Sequence, residues 1–117
     1  MPVNHRPVRS LRVLLDPPDP ALALRLGLQP DIEVVRDLTA RPAVALVERV
    51  AAVAALLAED PELRVLVTAG SARPGLADAA LDAGAAGLVL RDGPLEDLAD
   101  SIRRASTGET VIDPSLG

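Results

Sequence analysis

The sequence predicts one α/β domain, a doubly wound parallel sheet with helices on both faces. Three observations carry this. Short apolar runs such as Leu11–Leu15, Arg64–Thr68 and Gly87–Leu90 end abruptly at Gly, Pro or charge, the mark of strands covered on both sides. Segments with helical apolar spacing separate them, and strand–helix alternation implies parallel pairing with right-handed crossovers. The stretch Leu81–Asp92 (LDAGAAGLVLRD) holds the pattern in miniature. A helix ends at Ala83-Gly84, where glycine turns left-handed without a Cβ clash, and a buried strand follows. With 117 residues, 49% of them hydrophobic, the chain is sized for one core.

In chain order, residues 1–10 carry prolines and arginines without periodicity and read as a flexible lead-in. Leu11–Leu15 is the first strand, stopped by Asp16-Pro17-Pro18-Asp19-Pro20, because proline has no ladder donor. Asp19 caps a short helix, Ala21–Leu28, with Pro20 at its first position. Asp31–Val35 is an edge strand and Arg36–Arg41 a connection. Ala43–Val47 then has two readings. It is either a strand before a helix over Arg49–Ala58, or the start of one long helix over Ala43–Ala58 sharing an apolar stripe.

The second half is plainer. Arg64–Thr68 is a strand, Ala69–Ser71 a loop, and Arg73–Ala83 a helix with Pro74 in its first turn. Leu88–Leu90 is a strand. Leu95–Ser106 is an amphipathic helix with Glu96 and Asp97 at its start and Arg103 and Arg104 at its end, matching the helix dipole. Thr107-Gly108 closes it.

Composition excludes several functions. All twelve basic residues are Arg, so no Schiff-base or phosphate-binding Lys exists. Cysteine is absent, which removes disulfides, thiolate nucleophiles and Cys-ligated metals. The one histidine, His5, lies in the lead-in, so no nucleophile–base pair can be assembled and the chain is expected not to be an enzyme. A net charge of −5 without any aromatic residue argues against nucleic-acid binding by these residues. No apolar run approaches the roughly 18 residues of a membrane span. The expectation is a cytoplasmic protein without membrane contact, cofactor or metal.

The motif GAAGLVLR, continuing through Leu95–Ser106 into TGETVIDPSL, closely resembles the end of a response-regulator receiver domain of the LuxR/NarL type. That family's pattern is Gly-Ala-x-Gly-aromatic-apolar-apolar-Lys. RPAVALVE is similar to the family's third strand and its acceptor. The resemblance spans Leu11–Ser115 and is tight over Arg64–Pro114. It implies a flavodoxin/CheY-like fold over residues 11–114, with residues 115–117 opening a linker towards an output domain outside this chain. The first half is trimmed. Arg36–Arg41 is too short for the usual crossover helix, which needs about ten residues or more, and its loss is expected to bare apolar surface on one sheet face.

Receivers place a Mg²⁺-binding acidic pair after the first strand, a phospho-acceptor Asp after the third, a Ser or Thr after the fourth and a Lys after the fifth. Carboxylates suit the hard cation, while hydroxyl and ammonium engage phosphoryl oxygens. On this chain the acidic pair falls on Pro17 and Pro18, flanked by Asp16 and Asp19. Those two aspartates read either as an offset acidic site or as strand-end and helix-cap residues. Glu48 occupies the acceptor position, or simply begins the following helix. Thr68 matches the hydroxyl, Arg91 replaces the Lys with a planar fork, and Leu88 replaces the aromatic that family members swing inward. Matching positions suggests an Arg91–Glu48 ion pair.

Three functions follow from the resemblance. The first is a degenerate receiver, a phosphorylation-independent module of a transcriptional regulator that dimerises through its C-terminal helix–strand face and reaches DNA only through the output domain. The second is a receiver phosphorylated on Asp16, Asp19 or Glu48. The third is a small-ligand sensor holding an anion between Thr68 and Arg91.

Overall fold

The computed structural model describes residues 10–116, so the expected lead-in lies almost wholly outside the described residues. Its elements run β1 (Leu11–Asp16), α1 (Pro20–Leu26), β2 (Ile32–Val35), a 3₁₀ turn (Leu38–Ala40), β3 (Val44–Val47), α2 (Val50–Glu59), β4 (Arg64–Ala69), α3 (Leu76–Asp82), β5 (Gly87–Leu90), α4 (Leu95–Ser106) and β6 (Val111–Ile112). The strands form one parallel sheet in the order β2-β1-β3-β4-β5-β6. The expected doubly wound fold is present, and the direction of winding reverses between β1 and β3. Ligand crevices in such sheets form at the carboxyl ends of the strands flanking that reversal.

Alternate residues of the central strands feed two cores. Val13, Leu15, Val44, Leu46, Leu66 and Val89 pack with Leu26 of α1 and Leu98 and Ile102 of α4. Leu14, Ala45, Val47, Val65, Val67 and Leu88 pack on the opposite face with Val53 of α2 and Leu76 and Ala80 of α3. All four residues of β3 are buried. This settles the ambiguous segment Ala43–Val47 as strand from Val44 onward: a parallel strand between two others needs apolar residues on both faces, which is why its sequence also imitates a helix.

Several boundaries move for local reasons. α3 begins at Leu76, not Arg73, because Gly75 adopts φ 78° and turns the chain through the left-handed region before the helix starts. Pro74 therefore sits in the preceding turn. α1 ends at Leu26, short of Leu28, while Asp19 caps it by accepting from the Leu22 amide at 3.1 Å. α4 has the expected bounds and closes at Gly108, φ 101°.

β6 is a strand the sequence did not announce. Val111 and Ile112 pair with Gly87 and Leu88. A β-carbon on Gly87 would lie 1.9 Å from the Val111 carbonyl oxygen, so this contact requires glycine. Packing continues past Pro114, since Leu116 is buried against the α2–α3 side.

The crossover helix between β2 and β3 is missing, as expected, and one 3₁₀ turn takes its place. The expected bare apolar surface, however, is not there. Leu38 packs against the core, and the strands present Arg12 and Glu33 to solvent. The Arg12 guanidinium lies 3.6 Å from the Glu33 carboxylate and donates to the Ala40 carbonyl at 3.0 Å. A charged brace thus covers what a helix would otherwise cover.

Candidate functional site at the carboxyl edge

The loops after β1, β3, β4 and β5 converge at the carboxyl edge, and the register fixes which residues meet there. Asp16 ends β1 opposite Val47, so the β1 loop and Glu48 leave the sheet side by side. Thr68 lies in β4 opposite Val89, and Leu90 lies opposite Ala69, which brings Arg91 level with Gly70. The Arg91 amide donates to the Ala69 carbonyl at 2.8 Å, extending the ladder one residue past the strand.

From that anchor the Arg91 side chain passes over Gly70, where a β-carbon would lie 3.5 Å from its guanidinium. It reaches Glu48 at 3.9 Å, Nη1 to Oε2, with each side chain about two-fifths exposed (42% and 41%). The ion pair suggested by the sequence is present, at the long end of contact distance. Exposed pairs of this kind are worth about 0.2–1 kcal/mol. Its effect is to tie the β3–α2 loop to the β5–α4 loop.

Thr68 is buried, and its hydroxyl donates to the Val47 carbonyl at 3.2 Å. Its proton is therefore already committed to the neighbouring strand end. Leu88 is fully buried in the α2–α3 core, between Val67 and Ile112 in register. It is a core residue in this arrangement.

The acidic-pair position does not fit a metal. Pro17 and Pro18 are exposed and carry no ligating side chain. Asp19 uses a carboxylate oxygen to cap α1, and Asp16 is exposed at the end of β1. Among the described residues, no three His, Cys, Asp or Glu side chains converge in a way that could hold a metal ion. Hard cations such as Mg²⁺ need several oxygen ligands, more than this loop brings together.

Two described cavities lie away from Thr68, Glu48 and Arg91, although the second is walled in part by Pro18 and Asp19. One of about 430 Å³ is lined by Ala72, Arg73, Asp78 and Leu116. The other, about 880 Å³, is a groove between α1 and β2. Neither is lined by Thr68, Glu48 or Arg91.

Sequence reasoning missed the partners of three arginines that hold the scaffold. Besides Arg12, Arg64 donates to the carbonyls of Ala105 and Glu109, both at 3.0 Å, which satisfies the end of α4. Arg103 forms a two-pronged bond with Asp31, both at 2.9 Å, and reaches Gln29 at 2.8 Å. Hydrogen bonding from Arg103 holds the Asp31 carboxyl below its ordinary value, and the same contact raises Arg103. The dipole pattern of α4 flagged Arg103, but its partner lies some seventy residues away and left no local signal.

Solved structures share this architecture. The signal receiver domain of the putative response regulator NarL from Mycobacterium tuberculosis superposes with a TM-score of 0.71 at 23% identity, over 86% of this chain and 99% of that one. The chain has the receiver fold. A structure of two RcsB dimers bound to two parallel DNAs gives a TM-score of 0.72 at 18% identity, over 92% of this chain and 66% of that one. Among curated proteins, the uncharacterized transcriptional regulatory protein YvfU of Bacillus subtilis (strain 168) is 43% identical over 53 residues. That match takes in 45% of this chain and about a quarter of the relative's length (26%). No protein-family model matches the chain. Among the described residues, no helix is long and apolar enough to cross a membrane.

Proposed function

We propose that the chain is a pseudo-receiver: a receiver scaffold without the phosphorylation switch, serving a cytoplasmic transcriptional regulator as a homodimeric interaction module. DNA contact, in this reading, belongs to an output domain outside these residues. The observation that carries it is the Glu48–Arg91 ion pair at 3.9 Å. A negative charge stands at the acceptor position and a cation at the phosphate-sensing position, already paired. The arrangement resembles the charge contact that phosphorylation would otherwise create.

Three further features support it. Prolines occupy the metal-ligand positions, so a phosphoryl group arriving at Glu48 would find no cation held by that pair. The Thr68 hydroxyl is bonded to Val47, and the side chain at the aromatic position, Leu88, fills the core. Sequence likeness to a transcriptional regulatory protein, and fold likeness to RcsB dimers solved on DNA, support the regulatory and paired parts of the reading. The ligand-sensor reading has no comparable support, since both groups assigned to the anion already have partners.

The test is light scattering of the purified protein before and after incubation with a small phosphodonor and Mg²⁺. The expected outcome is a dimer of unchanged mass in both. A monomer that dimerises only after treatment would reinstate the switch.

A further inference from the structure

Pairing needs apolar burial, and the C-terminal face is poorly supplied with it. The outward side chains of α4 include Glu96, Asp97, Asp100 and Arg104, charged throughout. The exposed apolar surface is elsewhere. Leu24 on α1 and Leu28 just past its end are 73% and 74% exposed, the most exposed large apolar residues described. Leu24 also walls the groove of about 880 Å³, whose lining includes Leu15, Ile32 and Val34.

This groove borders β2, an edge of the sheet. The Leu11 amide donates to the Asp31 carbonyl at 2.7 Å. In a parallel ladder, that sets the backbone groups of Asp31, Glu33 and Val35 towards β1 and those of Ile32 and Val34 outward. Gln29 accepts from the Ile32 amide at 3.2 Å. Among the described residues, the N–H and C=O of Val34 face an unpaired edge, the usual template for adding a strand.

We propose that two copies of this chain pair edge to edge through β2, antiparallel about a twofold axis at Val34; this rests on the reading of the chain as a paired module. Charge selects the register. Outward residues must face outward residues, which leaves few alignments. An axis at Glu33 sets the two Glu33 carboxylates against each other, and an axis at Val35 sets Glu33 against Asp37. An axis at Val34 sets Glu33 against Val35 and Arg36 against Ile32 of the partner subunit, so no like charges face each other over residues 32–36. Within β2 the only charge is Glu33, already bridged to Arg12 at 3.6 Å, so the register is set by keeping the two copies' carboxylates apart. Asp31 and Asp37, beyond the strand, are already bound by Arg103 and Thr39.

The two Val34 residues then exchange two backbone hydrogen bonds and join two six-stranded sheets. A twofold perpendicular to the sheet keeps both α1 helices on one side. Leu24 and Leu28 of each copy converge over the groove, an isologous contact.

Val34→Pro tests this directly. Its N–H is outside the β1 ladder, so proline at this edge position removes the intermolecular donor and spares the fold. The expected result is a dimer affinity weakened about tenfold or more, with unchanged far-UV circular dichroism. The double variant Leu24→Glu/Leu28→Glu, at exposed positions, is expected to do the same. In the unaltered protein, exchange of the Val34 amide is expected to slow as concentration rises. A dimer that survives both variants but dissociates with Arg104→Glu overturns the β2 surface and keeps the paired module. Concentration-independent protection of Val34 gives the edge to another segment and overturns it too. A wild-type monomer removes both readings.

Discussion

Glu48 and Arg91, forty-three residues apart in sequence, face each other at 3.9 Å across the carboxyl edge of the sheet. The contact joins the loops after β3 and β5 without burying either charge. It is weak as a source of stability and useful as a constraint on two loops. A double-mutant cycle with Glu48→Gln and Arg91→Gln is expected to give a coupling of about 0.2–1 kcal/mol that shrinks with added salt. Thermal unfolding of the four variants at low and high ionic strength measures it. A coupling of several kcal/mol would mean that the pair is a buried structural element.

Gly87 is a stronger constraint. A β-carbon there would meet the Val111 carbonyl oxygen at 1.9 Å, and the obstacle is backbone. Gly87→Ala is expected to destabilise by about 1–3 kcal/mol, in the range of overpacked cores. Chemical denaturation provides the number. Undisturbed stability would mean that β6 does not lie against β5.

The Arg12 brace stands in for the absent crossover helix, holding Glu33 and the Ala40 carbonyl. Arg12→Ala is expected to cost about 1 kcal/mol, since its bonds are exposed. It should also speed amide exchange over residues 36–43, with little change in α4. Uniform acceleration across the domain would argue against a local brace.

Those two residues mark where sequence reading succeeds and fails. The Gly84-Ala85-Ala86-Gly87 stretch announced its turn and strand, because a left-handed cap and a buried apolar run are local properties. α4 had exact bounds for the same reason: its caps, dipole charges and stripe all lie within it. Ala43–Val47 reads two ways, since burial of Val44–Val47 on both faces erases the alternation that separates strand from helix. Pro74 suits a first helical turn, so the sequence alone starts α3 at Arg73, and only Gly75's left-handed φ reveals the break. The bare apolar face was expected from a missing helix, but Arg12 and Glu33 meet across two strands that sequence alone could not align. At the site, the Glu48–Arg91 pair was legible by matching positions, while the bond from Thr68 to Val47 was not.

Asp31 gives an acid-side signature. Arg103 holds its carboxyl below the ordinary value of 3.8, so the folded state binds that proton less readily than the unfolded chain. The stabilisation is fully present above the unfolded value and is lost as pH falls through the folded one. Both partners are about one-third exposed (37% and 33%), which keeps the effect small. Asp31→Asn is expected to lower stability at neutral pH and to flatten the decline below about pH 4. A variant with the wild-type acid limb would show that Arg103 does not hold this carboxylate in solution.

The most direct measurement of the central claim is intact mass after incubation with a small phosphodonor and Mg²⁺, read alongside a Glu48→Asp/Pro17→Asp/Pro18→Asp variant that restores the carboxylates. The pseudo-receiver account predicts no phosphoryl adduct on the unaltered chain, whatever the variant gains. A stable adduct on the unaltered chain, at Asp16, Asp19 or Glu48, would contradict it.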